Sequence, residues 1–273
     1  MIDLSFKYKN LIGFLEKEVP FIPQIAIILG SGLGNFAEQL NIIKPISTSD
    51  LPGYPISTVE GHKGKIHFAE YLDKKIILFQ GRIHFYEGYH ISECILPVFI
   101  SYKLGVEKLL LTNAAGGINR NFIPGDLMLA TSFNGTNIKK ELTNLIGVTS
   151  HSGLDNFSNL PDENFNSVIR SAAATENIEL KEGVYWYTKG PTYETPAEIK
   201  LISKFGGDAV GMSTVHEAVY ASYIGINTSS ISCITNYAAG ISNQKLSHSE
   251  VTETAERVKN KFASLVKAII KMA

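Results

Sequence analysis

Cysteine is scarce in this 273-residue chain: there are only Cys94 and Cys233, and neither has a second cysteine or a close histidine at metal-ligand spacing. That argues against a disulfide scaffold and a zinc site, and it predicts a reducing compartment, the cytoplasm. An excess of charge is missing as well. Lys and Arg number 25 against 26 Asp and Glu, a formal net charge of -1, which disfavours a nucleic-acid binder or a polybasic membrane surface. Any phosphate ligand must then be held by a few local groups. No apolar run reaches the roughly 20 residues of a membrane span. The opening MIDLSFKYKNLIGFLEKE mixes charged and apolar residues at helical spacing and lacks the apolar stretch and cleavage site of a signal peptide.

What is present suits a large core. The apolar fraction of 44% and charged fraction of 19% are those of a globular protein, and with no repeat or low-complexity tract the expectation is a single domain over residues 1–273. Apolar runs rich in β-branched residues at Ile25 to Leu29, Ile76 to Phe79, Leu109 to Thr112 and Ile226 to Thr235 read as strands. Segments of helical period lie between or after them, at Ile91 to Leu104, Glu198 to Phe205, Thr214 to Ile224 and Ser249 to Lys271. The alternation predicts an α/β protein whose central sheet is covered on both faces, with sites gathered where strands end. Three helix starts carry a Ser or Thr followed three residues later by Glu, the spacing of a capping box: Thr195 with Glu198, Thr214 with Glu217, and Ser247 with Glu250. The stretches Ile42 to Pro52 and Ser132 to Leu160 read as loops, the second long and mobile.

Polar clusters sit at the strand ends. Gly30-Ser31-Gly32-Leu33-Gly34 follows the first strand and is either a plain tight turn or an anion-binding loop. A dinucleotide fold would want glycine where Asn35 stands and a longer crossing helix behind it. Gly61-His62-Lys63-Gly64 offers an imidazole that serves equally as a solvated side chain. After the Ile76 to Phe79 strand, an extended continuation would put Arg82, His84 and Tyr86 on one face, a guanidinium, an imidazole and a phenol suited to an oxyanion beside a sugar. Thr112 to Gly117 has small residues that admit close approach of backbone N–H groups, or simply pack a turn. Tyr193 and Glu194 precede a capped helix. There Glu194 either favours the helix dipole or accepts N–H bonds from a heterocycle, with Tyr193 as a stacking wall. Ser213, at a helix start, is placed to give a hydroxyl to an anion, and Met212 beside it is as readily core filler. Asn236, at the end of the longest apolar run, both donates and accepts and so suits a 6-oxopurine edge, although Asn is also a common turn residue.

Taken in order, these segments closely resemble the trimeric class of purine nucleoside phosphorylases. The matching stretches are the 30–34 loop, Gly61-His62, Gln80-Gly81-Arg82 with His84 to Tyr89, Thr112 to Gly117, Gly190 to Thr195, Asp208 to Val215, and Ile234-Thr235-Asn236. The resemblance implies a mixed central sheet flanked by helices and assembly as a homotrimer. It implies no metal or organic cofactor, inorganic phosphate being a co-substrate. Phosphate would then be held by Ser31, His62, Arg82, His84, the Ala114 backbone and Ser213. The ribose would contact Tyr86 and Met212, with His248 near its 5'-hydroxyl, and Tyr193, Glu194 and Asn236 would hold the base. By analogy with other imidazole–carboxylate pairs, Glu87 would orient His84. The implied reaction is reversible phosphorolysis of inosine, guanosine and their 2'-deoxy forms.

The chain departs from that family twice. No Arg-Phe-Pro run, the segment that usually lends an aromatic residue to the neighbouring subunit, is recognisable between Asn134 and Pro161, where Phe157 is the candidate; and position 216 is His where members commonly carry Pro. Two alternative functions remain: a 5'-methylthioadenosine phosphorylase, which usually offers aspartates where this chain reads Thr235-Asn236-Tyr237, and a catalytically silent nucleoside-binding protein, for which the phosphate ligands would be superfluous.

Overall fold

A computed structural model describes residues 2–59, 63–147, 150–242 and 248–273, with the side chains of residues 248 and 249 left aside. Nine strands form one sheet: β1 (Ile25–Leu29), β2 (Asn41–Ser47), β3 (Lys65–Tyr71), β4 (Lys74–Gln80), β5 (Lys108–Gly117), β6 (Leu127–Asn134), β7 (Leu180–Tyr187), β8 (Ala209–Gly211) and β9 (Asn227–Tyr237). The spatial order is β2-β3-β4-β1-β5-β8-β7-β6-β9, and β9 also pairs with β5, so the last five strands close into a ring. Parallel pairs (β4 with β1, β1 with β5, β5 with β9) meet antiparallel ones at β2–β3, β3–β4, β5–β8 and β6–β9. The mixed α/β sheet expected from the sequence is therefore present.

The sheet is covered on both faces, and β1 at its centre is apolar throughout. In β1, Ala26 and Ile28 join one core cluster, while Ile25, Ile27 and Leu29 join another on the opposite face. Helices α1 (Leu4–Lys7), α2 (Lys9–Glu18), α3 (Ile91–Cys94), α4 (Leu96–Lys103), α5 (Lys139–Ile146), α6 (His151–Phe157), α7 (Glu163–Thr175), α8 (Pro196–Lys204), α9 (Val215–Tyr223) and α10 (His248–Met272) supply the covers. Along α10, Val251, Ala255, Val258, Phe262, Val266 and Ile269 are buried at three- and four-residue spacing, one apolar stripe laid on the sheet. None of the described helices is long and apolar enough to cross a membrane.

Three sequence expectations need correction. The Ser132 to Leu160 stretch is not one irregular loop: β6 runs to Asn134, and α5 and α6 follow. Its Asn, Ser and Thr residues lie largely on exposed faces, while Ile138, Leu142, Leu145 and Ile146 bury a helical stripe that the polar composition hid. Ile42 to Ser47 belongs to β2, paired antiparallel with β3 at the sheet edge. An edge strand tolerates Pro45, whose missing N–H and the register shift between Ile42 and Lys44 disguised it as a loop. Lastly, the helix expected from Ile91 to Leu104 is broken into α3 and α4 at Ile95, ahead of Pro97.

The parallel strands aim their carboxyl ends the same way, so the segments after β1 and β4 and the long ends of β5 and β9 converge. Gly30 permits the approach of β1 to β5: a Cβ there would lie 2.6 Å from the Asn113 Cα. On β9 the pairing with β5 skips Thr235, between Ala115↔Ile234 and Gly116↔Asn236. This bulge re-aims Asn236 at the mouth of the sheet.

Candidate active site

A pocket opens at these strand ends, and Arg82 in its lining belongs to a buried ion pair. Arg82 and Glu217 have side chains 1% and 0% exposed; Nε of Arg82 donates to Glu217 Oε1 at 3.1 Å and Oε2 at 2.9 Å, and its Nη1 donates to the Thr112 carbonyl at 2.9 Å. The guanidinium is thus fixed along one edge while Arg82 lines the pocket. Glu217 stands where the sequence predicts the partner in a capping box with Thr214. The structure overturns that expectation: Thr214 makes no side-chain cap, and its carboxylate partner has turned inward to Arg82. The buried guanidinium, a stronger claim on a carboxylate than one backbone N–H, wins. By contrast, Thr195 and Glu198 form the predicted reciprocal box at the start of α8.

His84 and Tyr86 reach the same pocket, though not by continuing β4. That strand stops at Gln80, Gly81 adopts φ 130°, and Phe85–Glu87 form a single 3₁₀ turn. The two rings stack at 4.7 Å. Glu87 Oε1 accepts the His84 N–H at 2.7 Å and lies 3.3 Å from His84 Nδ1, while its Oε2 accepts the Thr58 N–H at 2.6 Å and hydroxyl at 2.9 Å. Burial opposes ionisation of Glu87, but these donors outweigh it and bring the carboxyl down to about 2. Burial lowers His84 in turn, with Glu87 opposing and Arg82 reinforcing. An ionised Glu87 only accepts, so Nδ1 of a neutral His84 is its donor and Nε2 is left as the acceptor.

Opposite lies the glycine loop. Gly32 has φ 76° and would place a Cβ 2.5 Å from that of Ala255, which explains why this turn requires glycine. The Gly30 N–H donates to Thr112 Oγ1 at 3.1 Å, and Gln80 Nε2 braces the Gly34 carbonyl at 2.9 Å. Ser31, Ala114 and Ser213 line the pocket together. Thr214 adopts φ 75°, ψ -51°, and the Val215 N–H closes onto the Ser213 carbonyl at 2.8 Å: a strained γ-turn for a β-branched residue. Asn113 Nδ2 donates to Thr214 Oγ1 at 3.0 Å and holds this turn against β5.

The other end of the pocket is formed by Tyr193, Glu194, Met212 and Asn236. The Thr188 hydroxyl donates to Glu194 Oε1 at 2.5 Å, so Glu194 is not simply serving the helix dipole. The Thr235 hydroxyl donates to Asn236 Oδ1 at 2.9 Å, and Asn236 Nδ2 donates to the Tyr237 carbonyl at 3.0 Å, which sets the amide's orientation and leaves it one further N–H. Gly190, at φ 66°, would bring a Cβ 2.6 Å from Met212 Sδ and 3.1 Å from the Tyr86 ring; its bareness lets these two side chains meet.

Residues 24–271 match the family model described as the phosphorylase superfamily. The chain belongs to the phosphorylase superfamily. It is 43% identical over 270 residues to purine nucleoside phosphorylase 1 of Bacillus subtilis, covering 97% of each chain. It is 42% identical over 262 residues to the Geobacillus stearothermophilus enzyme of the same name, covering 94% of each. A crystal structure of Schistosoma mansoni purine nucleoside phosphorylase in complex with inosine superposes with a TM-score of 0.86 at 30% identity, covering 98% of this chain and 96% of that one.

Within this phosphorylase, the side chains of eleven of the thirteen residues expected at the site are described: ten line one pocket, and Glu87 stands behind His84. His62 and the cap residue Ser247 lie outside the described residues, as does the side chain of His248. Phe157 packs on Tyr223 of its own chain, ring centroids 5.9 Å apart. Sequence reasoning missed Glu217, Thr188, Thr58 and the carboxamide of Asn113. A Thr-x-x-Glu spacing reads as a cap, and only the positive φ of Thr214 shows that the turn is used otherwise.

His216 is wholly buried against Tyr187, and neither ring nitrogen meets a hydrogen-bonding group among the described residues. Burial, reinforced by Arg82 against the opposing Glu217, lowers it to about 4. An unfolded histidine takes its proton near pH 6.5. Between these values the unfolded state binds more protons, so stability is full above pH 6.5 and falls as pH drops toward 4. Thermal melts of His216→Leu will lose that share of the slope, about 3 kcal/mol at its limit. Replacing Glu217 by Gln will leave a buried cation uncompensated. Denaturant titration will show a loss of about 3 kcal/mol. The KM for phosphate will rise about tenfold or more through the loosened guanidinium, with little change in KM for the nucleoside.

Proposed function

We infer that this chain is a purine nucleoside phosphorylase, cleaving the N-glycosidic bond with inorganic phosphate to give a free base and ribose 1-phosphate, and that inosine, guanosine and their 2'-deoxy forms are its substrates. The observation that carries the reading is a single pocket whose lining brings together Ser31, Arg82, His84 and Ser213, groups suited to an anion, and Tyr193, Glu194 and Asn236, groups suited to a heterocycle. Its near relatives bear the same activity in their names, and the inosine complex of the Schistosoma mansoni protein shares its fold.

The chemistry follows from the charges. As the C1'–N9 bond lengthens, the sugar becomes cationic and the purine anionic, so the site must hold an anion against one and donors against the other. Arg82, steadied by Glu217, supplies a fixed positive edge for phosphate, with the hydroxyls of Ser31 and Ser213 and the Ala114 N–H as further donors. His84, donating Nδ1–H to Glu87, presents Nε2 as an acceptor for the remaining O–H of monohydrogen phosphate. Tyr86, whose hydroxyl is pushed up to about 12 by burial and by its acidic neighbours, stays protonated and serves the ribose beside Met212. One phosphate oxygen then bonds C1' while N9 keeps the bonding electrons. Glu194 accepts the N1–H of a 6-oxopurine, and Asn236 stabilises the departing base as its N7 takes a proton from solvent.

This route calls for no metal or organic cofactor. A homotrimer, a cytoplasmic location, and roles for His62 in phosphate binding and His248 at the 5'-hydroxyl belong to the same proposal.

Purified protein incubated with inosine, guanosine or adenosine, with and without phosphate, will release hypoxanthine and guanine only when phosphate is present, and spare adenosine. Asn236→Ala will lower kcat by about a hundredfold to a thousandfold. Rapid adenosine cleavage would contradict the 6-oxopurine assignment, and base release that ignores phosphate would contradict phosphorolysis.

A further inference from the structure

Glu194 belongs to two cavities. On one side it lines the pocket described above, and on the other, with Tyr193, it lines a cleft of about 640 Å³ bounded by Trp186, Leu201 and Phe205. Thr188 lines the cleft and not the pocket. It follows directly on β7, where its N–H donates to the Gly211 carbonyl at 2.9 Å, so its backbone is tied to the strand that leads into Met212. From this fixed position its hydroxyl donates to Glu194 Oε1 at 2.5 Å. A hydroxyl has one proton to give, and a β-branched side chain has few rotamers in which to give it, so Oε1 is held toward Thr188.

We propose that Thr188 is a specificity-determining residue: by engaging Glu194 Oε1 from behind the pocket wall, it fixes the carboxylate as an acceptor for purines that carry a proton at N1. The inference rests on the phosphorolysis reading, in which Glu194 meets the N1 edge of the base. A 6-oxopurine offers N1–H and pairs with such a carboxylate. A 6-aminopurine turns a lone pair to the same place, where it meets a carboxylate oxygen, and to be accepted it needs the carboxylate rotated away. The hydroxyl of Thr188 opposes that, because rotation breaks its bond. Sites built around a substrate N–H reject the analogue that lacks it much more strongly than apolar pockets reject a missing methylene.

The test compares kcat/KM for inosine and adenosine, at saturating phosphate, in the wild type and in Thr188→Val, which keeps the side chain's shape without its hydroxyl. The value for inosine will fall about tenfold, the loss expected for a hydrogen bond to a charged group. The inosine-to-adenosine ratio will contract by a similar factor, and KM for phosphate will stay at its wild-type value. Thr188→Ala will contract the ratio likewise, and Thr188→Ser, which keeps the donor, will restore it. A wild-type ratio in both the Val and Ala variants overturns the proposal, because a fold defect lowers turnover of the two nucleosides together without the hydroxyl mattering. Absence of any phosphate-dependent base release by the wild type would instead overturn the phosphorolysis reading, and this proposal with it.

Discussion

The buried pair of Arg82 and Glu217 constrains everything around it. A guanidinium 1% exposed is tolerable only beside a carboxylate, and the carboxylate comes from the first turn of α9, 135 residues away in the chain. To deliver it, α9 gives up its cap and starts on a strained Thr214, which in turn needs Asn113 of β5 to hold it. Strand β5 meanwhile accepts the guanidinium through the Thr112 carbonyl and anchors the glycine loop through the Thr112 hydroxyl. Three segments that line or brace the pocket are thereby tied to one another by the requirement that a single cation be neutralised.

Around that pair the site divides its charge. His84 is kept neutral by burial, with its proton assigned by an ionised Glu87, so it adds an acceptor and not a second cation beside Arg82. Across the pocket stand one carboxylate and one amide, each oriented by a threonine hydroxyl: Thr188, behind the pocket, for Glu194, and Thr235, in the pocket lining, for Asn236. A nucleoside bound between these ends would have its sugar under a field that favours positive charge on C1', as the bond-breaking step demands.

Much of this was legible in the residues. The apolar runs mark β1, β4 and the first half of β5 because strands buried on both faces are largely apolar, while β9 is buried although Ser and Thr fill much of it, and ten of the expected residues gather in one pocket because each lies near or beyond a strand's carboxyl end. What escaped was long-range. Nothing in Thr214-x-x-Glu217 tells a cap from a buried ion pair, since the deciding partner is Arg82. Likewise β2 was hidden by Pro45, and α5 by the polar residues on its exposed face. Thr188 could not be found without the fold, because its hydroxyl acts on a residue six positions on, across a turn that includes Gly190 at φ 66°.

The position of the phosphoryl group decides between this chemistry and any other, so the decisive measurement is a crystal structure of the protein grown with hypoxanthine and ribose 1-phosphate. It should place phosphoryl oxygens within hydrogen-bonding distance of Ser31, Arg82, His84 and Ser213, with the Arg82–Glu217 pair intact and the base edge on Glu194 and Asn236. A phosphoryl group lodged elsewhere, for instance in the cleft beside Lys189, or bound without contact to Arg82, would contradict it.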